Sequence, residues 1–472
     1  MNGTAPKARD WASLIPIAAG LAWLAVDDGL GAWLLAWPPG LLLTATGVSA
    51  LLWSGDGRIS QFMALGASIG LLLSLPGLLL LPFWPLLLAA ALSVASFLQA
   101  GRMALQLAEL VPGAPEPPAE LKTWAKAALD EALIGYFVAC AKIPAGTEAA
   151  ALARDTAVME AALEQQGWFG HPEHYHQRPS APVDASLSPA RFKNFHYQRL
   201  RFSSGFAPQA GIPGGELWQS YVPNRTCHAS VFRQPEAGRP WLLCIHGYRM
   251  GMPLLDLRLF APHILHTRLG LNLVMPVLPL HGPRRIGFQS GDHYLDGDPL
   301  DLLFAQTQAL WDLRRTVAWI REQEPNPRIG VLGYSLGGYN AALLAAHEPG
   351  LDFVIAGIPV ADFAAVLWQH VPPPLRSYFE AEGLNRERYQ RLLQLVSPLA
   401  LPPQLPAERL HLFAGSADRI VPPVQPLKLA AHWQREVHWY PGAHLTFRGE
   451  HSVVRCIDDA LAGAGWKAPR GA

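Results

Sequence analysis

The pattern of apolar and polar positions divides the chain into two textures. Up to about residue 100 the apolar runs are long and barely interrupted; from about residue 197 they are short and alternate with stretches of helical periodicity. The first texture holds segments 12–26, 31–53, 62–81 and 83–100, rich in Leu, Ala, Gly and Trp. They are interrupted by Asp27-Asp28, by Ser54-Gly55-Asp56-Gly57-Arg58 and by Leu81-Pro82-Phe83-Trp84-Pro85. A helix crossing a bilayer needs roughly 20 apolar residues, so the second and third segments have the length and the other two are short. Trp11, Trp33, Trp37, Trp53 and Trp84 are placed to form interfacial belts. Pro38-Pro39 and Pro76 predict kinks or breaks, and so allow a re-entrant piece. Two other accounts compete with a membrane region. A cleaved signal peptide is opposed by the further spans that follow and by the want of a small-residue cleavage site, and the last alternative is a buried helical domain. Four crossings would put Lys7, Arg9, Arg58 and Arg102 on one side and Asp27-Asp28 on the other. The positive-inside rule makes the basic side the cytoplasm, so the expectation is a multi-pass protein with a cytoplasmic C-terminal part; three crossings would reverse it.

A Pro-rich linker, Val111-Pro112-Gly113-Ala114-Pro115-Glu116-Pro117-Pro118, marks a boundary. Beyond it, 120–141 and 147–166 have the periodicity of two amphipathic helices, a helical collar in the region 111–196. The second texture, 197–466, predicts strands at 198–202, Thr226–Phe232, Trp241–Ile245, 272–278, 329–332, 353–358, 410–413 and 436–440. Helices are expected at 255–269, 302–323 and 341–346. This alternation implies an α/β fold, a mostly parallel sheet flanked by helices, opened by an antiparallel pair. No internal repeat or low-complexity tract is present.

Composition agrees with a membrane part joined to a globular part: half of the 472 residues are hydrophobic and only 16% are charged. Lys plus Arg equals Asp plus Glu at 37 each, which gives no electrostatic footprint for nucleic acid. Cys140, Cys227, Cys244 and Cys456 are scattered without metal or redox spacing, and Cys244 reads as a small buried thiol in a strand.

The candidate chemistry lies in the second texture. Between the strand ending at Leu332 and the helix from Ala341 stands Gly333-x-Ser335-x-Gly337, a pattern whose weight comes from its strand–turn–helix setting. A serine hydroxyl becomes a useful nucleophile when a tight turn projects it towards a base, with backbone N–H groups nearby. Downstream, Asp418 follows one strand in Gly415-Ser416-Ala417-Asp418-Arg419-Ile420-Val421-Pro422, and His444 follows the next in Pro441-Gly442-Ala443-His444. With His246-Gly247-Tyr248, these motifs resemble those of the α/β-hydrolase superfamily, its serine esterases and lipases in particular, over 197–466.

That resemblance implies a Ser335–His444–Asp418 triad, with His438 and His451 as rival bases and Asp362 as a rival acid. It also implies an oxyanion hole of the Leu336 and Tyr248 N–H groups, no cofactor and no metal. His246 reads as structural at the start of its loop. Pro279-Leu280-His281-Gly282-Pro283-Arg284-Arg285 could contact a leaving group or a phosphate, or be a plain loop with exposed arginines. His171-Pro172-Glu173-His174-Tyr175-His176 invites a metal reading, but a Pro-broken polar loop is the default. The loop 291–298 fails the EF-hand template, with Tyr294 at position three and Leu303 at position twelve. Residues 363–406 read as a cap insertion that selects the acyl chain. The expectation is a membrane-anchored serine hydrolase of carboxylic esters, acting on a lipophilic ester or acyl lipid. A serine peptidase and a non-catalytic scaffold are the alternatives.

Overall fold

The computed structural model describes residues 11–466 apart from 28, 54, 142, 143, 145 and 296–298. Lys7, Arg9 and Asp28 of the charge pattern, and the end of the loop at 296–298, therefore lie outside the described residues. The chain forms two compact units. One runs to Ala141 and takes in Ala414–Val424 and Trp439–Glu450, and the other holds the rest.

The first unit is a helical bundle: α1 Leu14–Leu24, α2 Leu30–Leu35, α3 Trp37–Leu52, α4 Gly57–Leu80, α5 Phe83–Leu107 and α6 Leu121–Cys140. The apolar segment 31–53 is divided into α2 and α3 just ahead of Pro38-Pro39, where a helix that has not yet begun loses nothing to proline. Pro76, by contrast, is accommodated inside α4. Helices α4 and α5 are long and apolar enough to cross a membrane, and α1 and α3 are shorter. Small residues let the helices approach closely. A Cβ on Gly101 of α5 would lie 1.9 Å from the Trp124 carbonyl oxygen of α6, and one on Gly135 of α6 would lie 2.7 Å from the Gln61 carbonyl oxygen of α4. The Trp23 indole N–H donates to Ser93 Oγ at 2.9 Å, so the polar groups of α1 and α5 satisfy each other inside an apolar core.

The second unit holds most of a nine-stranded sheet. The strands of the sheet are β1 Ser186–Phe192, β2 Phe195–Ser203, β3 Thr226–Phe232, β4 Trp241–Ile245, β5 Asn272–Pro276, β6 Ile329–Tyr334, β7 Phe353–Gly357, β8 Leu410–Gly415 and β9 His438–Tyr440. They lie in the order β1-β2-β3-β5-β4-β6-β7-β8-β9. Strands β1, β2, β3 and β5 pair antiparallel, whereas β5, β4, β6, β7 and β8 pair parallel. The parallel strands β4 to β8 are buried on both faces, which is why they read as continuous apolar runs.

The helices that follow are α7 Thr147–Gln165, α8 Gly215–Ser220, α9 Pro253–Phe260, α10 Pro299–Arg321, α11 Leu336–His347, α12 Phe363–His370, α13 Pro373–Ala381, α14 Arg386–Leu393, α15 Val424–Trp433 and α16 His451–Gly463. Two features differ from expectation. Strand β1 is exposed along most of its length and carries Pro189, so no alternation announced it. The single helix expected at 255–269 is divided: α9 stops at Phe260, Ala261 turns to φ 44°, and a separate helical turn runs His263–Arg268 after Pro262.

Candidate active site

Ser335 stands between β6 and α11 with φ 58° and ψ −115°, in the left-handed half of backbone space that a residue with a side chain occupies only under constraint. The constraint is visible in its neighbours. The Ser335 N–H donates to the Gly357 carbonyl of β7 at 2.9 Å, and its own carbonyl accepts from Tyr339 N–H at 3.0 Å to start α11. Gly333 and Gly337 are obligatory. A Cβ on Gly333 would fall 2.0 Å from the Gly337 carbonyl oxygen, and one on Gly337 would fall 1.9 Å from that of Ile245.

Parallel pairing aligns Ile245 of β4 with Gly333 of β6, so the loops leaving these strands emerge side by side. Here β4 lies between β5 and β6, and such a reversal of strand order opens a crevice at the carboxyl ends. A Cβ on Gly247 would sit 3.7 Å from that of Ser335. His246 fixes this loop and is not a base. Its Nε2 accepts the Leu278 N–H at 3.1 Å, which leaves Nδ1 to donate to the Gly247 carbonyl at 2.8 Å. Burial lowers its pKa to about 4, so the ring is neutral. Tyr248 follows with the Arg249 guanidinium over its ring, and Leu336 opens α11, where the first N–H groups have no intrahelical acceptor.

Asp418 and His444 are brought together. His444 Nδ1 donates to Asp418 Oδ2 at 2.7 Å, with both side chains buried. The other carboxylate oxygen accepts N–H groups from Ile420 at 3.0 Å and Val421 at 2.7 Å, so the loop after β8 holds the acid in one orientation. Burial disfavours the imidazolium of His444. The Asp418 charge and hydrogen bond outweigh that, with help from Asp130, and its pKa is raised above 6.5. Asp130 of α6 was not singled out from the sequence. It is fully buried and accepts backbone N–H groups from Arg419, His444 and Leu445. A signal was there: an Asp-Glu pair inside the apolar run Ala127-Ala128-Leu129-Asp130-Glu131-Ala132-Leu133-Ile134.

The rivals have other work. Asp362 caps α12 by accepting the Ala365 N–H and pairs with Lys428 Nζ at 2.7 Å. His438 lies on β9, and His451 opens α16 exposed to solvent. Arg284 is corrected from a possible leaving-group contact to a core residue. It is fully buried, donating to the Val277 and Asn224 carbonyls and to Asp312 Oδ2 at 2.7 Å. His171, Glu173 and His174 bring ligating atoms within 4.8 Å of one another, all three exposed. His176 is not available to them, since its Nε2 bonds the Leu395 carbonyl at 2.7 Å.

Known proteins resemble the chain in this region. Residues 312–455 match the family model of the prolyl oligopeptidase family. An uncharacterized protein of Mycobacterium tuberculosis strain H37Rv is 40% identical over 305 residues, covering 63% of this chain and 72% of the relative; its counterpart in strain CDC 1551 is also 40% identical, over 307 residues. Among solved structures, acetyl xylan esterase 1 from Thermoanaerobacterium sp. aligns at 18% identity with a TM-score of 0.43, over 63% of this chain and 93% of that one. An acylaminoacyl peptidase from Pyrococcus horikoshii aligns at 16% identity and a TM-score of 0.35, over 59% of this chain and 49% of that one. The chain has an α/β-hydrolase fold and belongs to one family with these mycobacterial proteins.

Proposed function

We propose that the chain cleaves carboxylic esters through an acyl-enzyme on Ser335. His444 takes the hydroxyl proton as Ser335 Oγ attacks the ester carbonyl, then returns it to the leaving alcohol. Asp418 keeps the proton of the neutral ring on Nδ1, so that Nε2 is the basic nitrogen, and its charge stabilises the imidazolium as it forms. The N–H groups of Leu336 and Tyr248 stabilise the oxyanion, and water then releases the acyl group in the same steps run with a second nucleophile. The observation that carries this reading is the backbone of Ser335. A left-handed serine between two glycines that tolerate no Cβ is a costly arrangement with no structural use of its own.

Substrate class rests on the first unit. Apolar helices α4 and α5 favour a multi-pass membrane protein whose substrate is a lipophilic ester or acyl lipid, with residues 363–406 as a cap selecting the acyl chain. Arg58 at the start of α4 and Arg102 near the end of α5 would fall on the same side of a two-helix hairpin, which favours a cytoplasmic catalytic part. A peptidase is the second reading, favoured by the match of 312–455 to the prolyl oligopeptidase family. The test is labelling by a fluorophosphonate probe, followed by turnover of p-nitrophenyl esters and of peptide amides. Wild type should label, Ser335→Ala and His444→Ala should not, and esters should be the faster substrates. Equal labelling of wild type and Ser335→Ala would leave a non-catalytic scaffold, and faster amide turnover would leave a peptidase.

A further inference from the structure

Asp418 and His444 sit on separate loops, and what binds those loops together lies far upstream. Within the first unit the loops after β8 and β9 are tied to each other by their backbones. Ser416 N–H donates to the Tyr440 carbonyl at 3.0 Å and Ala417 N–H to the Gly442 carbonyl at 2.9 Å. Over both lies one carboxylate of α6. Asp130 Oδ2 accepts the Arg419 N–H at 3.0 Å from the first loop and the His444 N–H at 2.8 Å from the second, while Oδ1 accepts the Leu445 N–H at 3.2 Å. Two carboxylate oxygens are what three converging N–H groups require, and those bonds favour the ionised form against the burial and the Asp418 charge that push the Asp130 pKa up to about 7. The adjoining residue repeats the pattern: Glu131 Oε1 accepts from Arg419 Nε at 3.0 Å, and its Oε2 accepts from Ser60 Oγ of α4 at 2.8 Å. One turn earlier, Lys126 Nζ donates to the Pro441 carbonyl at 3.2 Å and to Glu450 at 2.6 Å.

We propose that Asp130 is a positioning residue of the active site, a carboxylate that sets the distance between the acid and histidine loops by clasping the backbone of both. It touches neither substrate nor Ser335 and acts through His444 and Asp418. Helix α6 is then a working part of the site rather than a collar, although it lies well before the residues matched by the family model. The proposal rests on the serine-hydrolase reading above, and the test separates the two.

Full-length Asp130→Asn, purified in detergent beside wild type, presents an NH2 where one set of N–H donors must bond. It should still melt cooperatively, with kcat for a p-nitrophenyl ester and the fluorophosphonate labelling rate both lowered by about tenfold or more and KM kept within about twofold. A merely structural role would move the melting point and leave kcat of the folded fraction unchanged, and that result overturns the proposal. Hydrogen exchange reports on the clasp independently of activity. In wild type the Arg419, His444 and Leu445 amides should exchange slowly, and in Asp130→Asn quickly; fast exchange in wild type overturns the proposal even if the variant does not fold. A wild type that neither labels nor turns over ester removes the hydrolase reading, and a protected clasp would then mark Asp130 as structural only.

Discussion

Two carboxylates act on the His444 imidazole, Asp418 by charge and hydrogen bond and Asp130 by charge, and together they raise its pKa against the effect of burial. The direction has a consequence for rate. General-base catalysis needs the neutral ring, so activity is present above the histidine pKa and is lost as pH falls through it. The acid limb of kcat/KM in wild type should therefore have its midpoint above 6.5, the ordinary value. Asp418→Asn removes the larger raising influence, so the midpoint should move to lower pH. Because the ring also loses its fixed tautomer, kcat should fall by about three to four orders of magnitude. A pH–rate profile of both proteins checks this, and an acid limb unmoved in Asp418→Asn would assign the base elsewhere. Asp362→Asn is the control. It keeps the α12 cap, since Asn serves as well as Asp there, and loses part-exposed pairings with Lys428 and Arg386. Its kcat should stay within about twofold of wild type.

At the scale of elements, the strand–turn–helix around Ser335 is held by backbone pressed on backbone. In Gly337→Ala the added methyl would meet the Ile245 carbonyl carbon at 2.6 Å as well as its oxygen, and the His246 carbonyl oxygen at 2.7 Å. No rotamer can yield, because the obstruction is main chain of a buried strand and of the loop leaving it. The substitution should cost about 3–5 kcal/mol, read as a large fall in melting temperature. Gly463→Ala makes the contrast, since nothing lies within 4 Å of a Cβ there and the position ends α16, so its effect should stay within about 1 kcal/mol. The elements most legible in the sequence were those with this kind of burial. Strands β4 to β8 are sealed on both faces and read as unbroken apolar runs, and Ser335, Asp418 and His444 each follow directly from one of these strands or from β9. Strand β1 was not legible because an exposed edge strand needs no apolar alternation. The stop at Phe260 comes from Ala261, whose left-handed conformation its residue type does not advertise, and from Pro262, which does mark a break inside 255–269.

In the whole molecule, the least legible feature is the one that joins distant parts of the chain. Asp130 and His444 are 314 residues apart, and no local pattern tells that an Asp-Glu pair on a helix will meet a loop so far downstream. The apolar surface of the first unit, by contrast, follows directly from the sequence. Leu72, Leu75, Leu78, Leu79 and Leu80 near the end of α4, and Phe83, Trp84, Leu87 and Leu88 at the start of α5, are all exposed, Leu79 to 86% and Trp84 to 75%. Each such side chain left in water costs on the order of 1–3 kcal/mol relative to an apolar surrounding, and here they crowd around a single turn between two long helices. Helix α4 spans roughly 36 Å at 1.5 Å per residue, enough for a bilayer core of about 30 Å. The full chain should therefore remain in the membrane pellet after alkaline carbonate washing and be released only by detergent. If carbonate alone releases it, with fluorophosphonate labelling intact in the supernatant, the exposed leucines must be covered by protein and the lipid-facing account of α4 and α5 is wrong.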